Sequence, residues 1–104
     1  MSIADDYRAE IQTRADALID EGDTDVIIEA LDPLEWNRWH YNLRVICKAK
    51  TEGSRAKACD EIRALLNSGA FKAAERLYHA EMADRAKQIA LERFYRMADM
   101  ECAA

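Results

Sequence analysis

Between residues 70 and 100 the chain carries no glycine, proline, serine, threonine or asparagine, and a single β-branched residue, Ile89. Nothing in such a stretch stops a helix, and its Ala, Leu, Glu, Arg, Lys and Met content favours one. The simplest reading is one helix of about thirty residues, about 45 Å long at 1.5 Å per residue. A compact domain of this size has no need of so long an element. Its apolar positions also drift. Phe71, Ala74 and Tyr78 lead to Met82, Ala86 and Ile89, whereas Leu91, Phe94, Tyr95 and Ala98 fall on another side. The reading is that the far half either projects from the body or packs on a second copy, as a homodimer through the C-terminal helix.

The rest of the chain is equally poor in breakers, with three glycines and one proline in 104 residues. Half of the residues are apolar and 34% are charged, a globular composition, and the length suits one core. The expected fold is all-α, a small single-domain bundle (1–104) of about five helices with a long C-terminal helix. Ser2, with Asp5 three residues on, caps a first helix carrying Ile3, Tyr7, Ile11, Ala15, Leu18 and Ile19, which Gly22 ends. Thr24 can cap a short second helix with Val26, Ile27, Ile28 and Leu31. Asp32, Pro33 and Glu35 supply an N-cap, a first-turn proline and an N3 carboxylate for a third, basic and aromatic helix at about 33–52. That helix is expected to bury Trp36, Trp39, Leu43 and Ile46. Gly53 and Ser54 then open a fourth, with Ala58, Ile62, Leu65 and Leu66 as its stripe, ended at residues 67–69.

The stretch "GAFKAAERLY" at residues 69–78 resembles the start of the second helix of a tetratricopeptide repeat, with Gly69, Phe71, Ala74 and Tyr78 at that family's spacing. The likeness covers about a dozen residues. Glu81 stands where the family has a small residue, and no second copy follows at a period of about thirty-four. What it implies is an antiparallel helical hairpin over residues 54–100, not a repeat array.

Charge divides the chain unequally. Residues 1–35 hold eleven acids against Arg8 and Arg14, net minus nine; the remainder holds nine acids and thirteen bases, net plus four. Seven of the acids, Asp20, Glu21, Asp23, Asp25, Glu29, Asp32 and Glu35, fall within sixteen residues without a base among them. Helix capping accounts readily for Asp23, Asp25, Asp32 and Glu35. A calcium loop does not, because Gly22 or Ile27 would fall on a ligand position. The remaining readings are self-pairing with the basic helix and a partner-binding surface. On the last, Asp20, Glu21, Asp23, Asp25 and Glu29 would bind a basic site on a larger host protein or complex. If that site normally holds nucleic acid, the chain is an acidic inhibitor or regulator. Small helical proteins of phages and mobile elements act in that manner against restriction, CRISPR or repair machinery.

The opposing candidate is "WNRWHYNLRVICKAK", residues 36–50, where Arg38, Arg44, Lys48 and Lys50 interleave with aromatics and offer a phosphate-contacting face for a dimeric nucleic-acid regulator. The net charge of −5 opposes nonspecific binding to DNA. Enzymatic motifs are lacking: there is no glycine-rich phosphate loop, G-x-S-x-G elbow or H-E-x-x-H pair. Glu75 and His79, four apart, read as a surface pair, and His40 as a packed histidine. Cys47, Cys59 and Cys102 are odd in number and widely spaced, so they read as buried or half-buried free thiols in a reducing compartment. Asp5 and Asp6 occupy positions where a secretory signal needs basic and apolar residues, which points to a cytoplasmic protein. The chain is thus expected to act by protein contact, without catalysis, cofactor or metal.

Overall fold

The computed structural model describes residues 2–103, and among them it contains four helices and no strand: α1 (Ile3–Asp20), α2 (Thr24–Glu29), α3 (Pro33–Lys48) and α4 (Glu52–Ala103). The all-α expectation is met. The hairpin expected over 54–100 does not form, because α4 runs through residues 67–69 without a turn and continues for 52 residues. About 78 Å of helix follows from that length, and the molecule measures 80 × 31 × 23 Å. Its radius of gyration is 21.1 Å, against about 13 Å for a compact domain of this size. α4 is therefore a spine rather than one member of a bundle. The other three helices pack on its first part and touch one another little.

Each junction has a local cause. Ser2 caps α1 by accepting from the Asp5 backbone N–H at 3.2 Å. At the other end Gly22 takes φ +72°, and its N–H bonds to the Ile19 carbonyl while that of Asp23 reaches back to Leu18. That pair of bonds is a Schellman stop, which favours glycine at the left-handed position. Thr24 does not cap α2; it is the first helical residue, and the N-cap, Asp23, makes no side-chain bond to the helix. Asp32 and Glu35 cap α3 reciprocally, each side chain accepting from the other's backbone N–H, with Pro33 in the first turn. α3 ends at Lys48, short of the expected 52. The start of α4 is marked by Thr51, whose hydroxyl accepts from the Ser54 N–H at 3.2 Å, so Gly53 lies inside the first turn rather than before it.

Gly69 owes its identity to packing, not to a turn. A Cβ there would lie 2.7 Å from the Ile27 carbonyl oxygen and 3.0 Å from Leu31 Cδ2. With Ala70, Ala73 and Ala74 it gives α4 a flat, small-residue surface. The core formed on that surface consists of Ile11 and Ala15 from α1, Ile27 from α2, and Ala70 and Ala74, ringed by Tyr7, Leu18, Ile19, Leu66, Phe71 and Tyr78. Fully burying each isoleucine is worth about 2–3 kcal/mol. Ile3, expected on the same stripe, is exposed.

α3 runs back along α4, with Glu35 beside Ser68 and Lys72 and Arg38 beside Glu61. Its buried face is Trp39 and Asn42, the latter satisfied by donating to the Arg38 carbonyl at 2.8 Å. Trp36 and Leu43, expected in the core, are 47% and 38% exposed. A helix with one neighbour can cover only a narrow stripe, and these two fall outside it.

Candidate interaction surfaces

The seven clustered carboxylates separate into two groups. Asp32 and Glu35 are structural. Lys72 of α4 is ion-paired with Glu35 and lies 3.8 Å from Asp32, and Ser68 Oγ donates to Glu35 at 2.8 Å. The Lys72 ammonium, supported by these hydrogen bonds, holds the Glu35 carboxyl down at about 2. Asp20, Glu21, Asp23, Asp25 and Glu29 are all exposed, and among the described residues none forms an ion pair or a side-chain hydrogen bond. The acidic segment thus does not meet the basic helix within the chain.

Capping explains little of this second group. Asp20 and Glu21 close α1 and Glu29 closes α2, where the helix dipole is negative and a carboxylate is disfavoured. Neither last turn contains a base to offset them. Asp25, in the first turn of α2, and Asp23, its N-cap, sit where the dipole favours them, although Asp23 makes no side-chain capping bond. Asp23 and Asp25 also border a shallow depression at the Gly22 turn, together with Thr24 and Val26.

The four basic candidates separate similarly. Arg38 is ion-paired with Glu61 and fastens α3 to α4. Arg44 and Lys48 lie on the outer face of α3 along a shallow depression that Trp36, His40, Leu43 and Cys47 also line, and Lys50 is exposed beyond the helix end. His40 is not packed in the core; the Trp36 ring lies against it, centroids 3.9 Å apart. Cys47 is exposed on this face and Cys102 on the far part of α4, contrary to the expected burial; Cys59 is half-buried, and all three thiols are free.

A polar seam joins α1 to α4. The Tyr7 hydroxyl donates to Glu75 Oε2 at 3.1 Å and lies 2.9 Å from His79 Nε2. With its one proton given to Glu75, the phenol oxygen accepts from His79. Partial burial raises the Tyr7 pKa, and the neighbouring Glu75 raises it further. Arg14 bonds Glu81 at 2.6 Å and Glu10 at 2.9 Å and stands 5.1 Å over the Tyr78 ring. Its hydrogen bond holds the Glu81 carboxyl below the usual range. Glu75 and His79 are therefore tied through Tyr7 rather than forming the isolated pair that their spacing suggests. Tyr7 is not legible as their partner, nor Arg14 as that of Glu81, since the paired residues stand 67 to 72 positions apart.

From Ala83 to Cys102 nearly every residue of α4 is exposed. Ile89, Leu91, Phe94, Tyr95, Met97 and Met100 range from 50% to 74% exposed. Among the described residues no three His, Cys, Asp or Glu side chains gather to hold a metal ion, and no helix is long and apolar enough to cross a membrane. No protein-family model matches the chain, and no curated protein or solved structure shows significant similarity to it.

Proposed function

We propose that the chain is a non-enzymatic protein-interaction module, an acidic regulator whose α1–α2 end docks on a basic surface that otherwise holds nucleic acid. The observation that carries this reading is the set of five exposed, unpaired carboxylates, three of them at helix ends where the backbone dipole opposes them. Uncompensated negative charge costs the free chain stability. It accelerates and orients encounter with a cationic partner. Asp20, Glu21, Asp23, Asp25 and Glu29 are the contact residues, while Asp32 and Glu35 belong to the scaffold.

The test is competition. A complex recovered with tagged protein from its native host is assayed for binding to labelled DNA or RNA, with wild-type chain or a variant carrying Lys at positions 20, 21, 23 and 25 as competitor. Wild type displaces the nucleic acid and the variant does not, although its circular dichroism is unchanged. Equal competition by both would remove the acidic end from the interaction.

A second reading rests on the outer face of α3, where Arg44 and Lys48 accompany Trp36 and Tyr41, the latter 61% exposed. Cations beside exposed rings suit single-stranded nucleic acid. Direct binding that weakens steeply with salt supports it, and no binding at low salt eliminates it.

A further inference from the structure

Ala83, Lys87, Ala90, Phe94, Met97 and Glu101 follow one another at spacings of four, three, four, three and four. That alternation keeps all six on one stripe of a helix and is the seam pattern of a two-stranded coiled coil. The stripe lies on the part of α4 that no other element covers, and Phe94 and Met97 are each 65% exposed on it. Its two charged members stand seven residues to either side of Phe94, one basic and one acidic. Neither Lys87 nor Glu101 has an ion-pair partner within the described chain.

We propose that this stripe is a homodimer interface in which the arms of two copies pair antiparallel about a two-fold axis near Phe94. Orientation follows from the charges. In a parallel, in-register pair Lys87 would face Lys87 and Glu101 would face Glu101, both in the seam. With the arms antiparallel and overlapping around Phe94, Lys87 of each copy lies within about one turn of Glu101 of the other, so one arrangement forms two opposite-charge pairs. Packing agrees with it. Ala90 leaves room for Met97 of the opposing arm, and Ala86 and Ala98 border the seam. The overlap of residues 87–101, symmetric about Phe94, is about 21 Å long. A helix of that length is marginal in water by itself, and pairing would cover its apolar side. This pairing is independent of what the acidic end binds, because the interface contains none of those five carboxylates.

The experiment is the solution mass of the full chain by sedimentation equilibrium, over a range of concentrations, for four proteins: wild type, K87E, E101K and the double variant K87E/E101K. Wild type is expected at twice the chain mass. Each single substitution places two like-charged pairs in the dimer and should raise its dissociation constant about tenfold or more. The double variant restores opposite charges in the antiparallel arrangement only and should recover wild-type affinity. All three variants change exposed sites only, so unchanged helicity separates a binding effect from misfolding. A wild-type chain that stays monomeric would overturn the proposal and assign the stripe to another occupant, a different protein or a lipid surface. Dimers indifferent to either single substitution, or not rescued by the double, would overturn it as well.

Discussion

Gly69 of α4 and Ile27 of α2 approach so closely that a Cβ on the glycine would meet the Ile27 carbonyl oxygen at 2.7 Å and its Cγ2 at 2.9 Å. Backbone and a β-branched side chain are both poorly able to give way. Intrinsic propensity alone would make Gly69→Ala stabilising by roughly 1 kcal/mol in a helix interior. Overpacking reverses the sign, with a typical cost of 1–3 kcal/mol. Urea denaturation should therefore show G69A less stable than wild type, and a more stable G69A would mean that α2 does not sit against α4 at this point.

Gly22 makes the opposite case, since nothing lies within 4 Å of its would-be Cβ but its φ is +72°. Gly22→Ala should cost about 1 kcal/mol through backbone strain alone. Gly22→Asn, which tolerates this region better, should recover part of the loss in the same denaturation assay.

Glu35 sets the acid sensitivity of the α3–α4 junction. Its carboxyl is lowered from 4.5 to about 2 in the folded chain, so the stability it contributes is complete above about 4.5 and is lost as pH falls from there through 2. E35Q should flatten the melting temperature against pH across that window and lower stability at neutral pH by about 1–2 kcal/mol, from the weakened cap and ion pair. Coincident pH profiles for wild type and E35Q would show that Lys72 does not engage this side chain.

Tyr7 provides a test at the other end of the pH scale. Its pKa is raised above 10.0, so its contribution to stability is intact below that value and is lost as pH rises through the folded-state pKa. Phenolate absorbance should show one of the four tyrosines titrating late, and Y7F should remove that late component. Its persistence in Y7F would assign the raised value to another ring.

Removal of residues 83–104 should leave the body folded. The core of Ile11, Ala15, Ile27, Ala70 and Ala74 lies wholly before the cut. A chain ending at Met82 should keep its thermal midpoint within a few degrees when wild type is compared at concentrations where it is monomeric. A cooperative collapse on truncation would mean that the arm folds back on the body.

The sequence disclosed elements better than it disclosed their ends and neighbours. The Gly22 stop, the Asp32–Pro33–Glu35 start and the Ile11–Ala15 face are written in residues a few positions apart, and local chemistry decides them. Residues 67–69 misled because asparagine, serine and glycine also suit a helix surface that another helix must approach closely. Only the position of Ile27, 42 residues earlier, tells the two cases apart. The stripe of Trp36 and Leu43 resembles core in sequence because periodicity reports that a face is apolar, not that a neighbour exists to cover it. The acidic cluster was visible at once. Its division into Lys72-bound and unpaired carboxylates needed a contact across 37 residues.

The unbroken passage of α4 from body to arm also restricts how this chain can change in length. Each residue of an α-helix advances the following part by about 1.5 Å and turns it by about 100°. One residue inserted just after Met82, beyond the contacts that Glu75, Tyr78, His79 and Glu81 make with α1, would swing Phe94 to a different side of the molecule, relative to α1 and the acidic end, without disturbing the packing of α1 or α2 on α4. Insertions and deletions there are tolerable in steps of about seven, two near-complete turns, so the segment keeps a phase as strictly as a coding sequence keeps its reading frame.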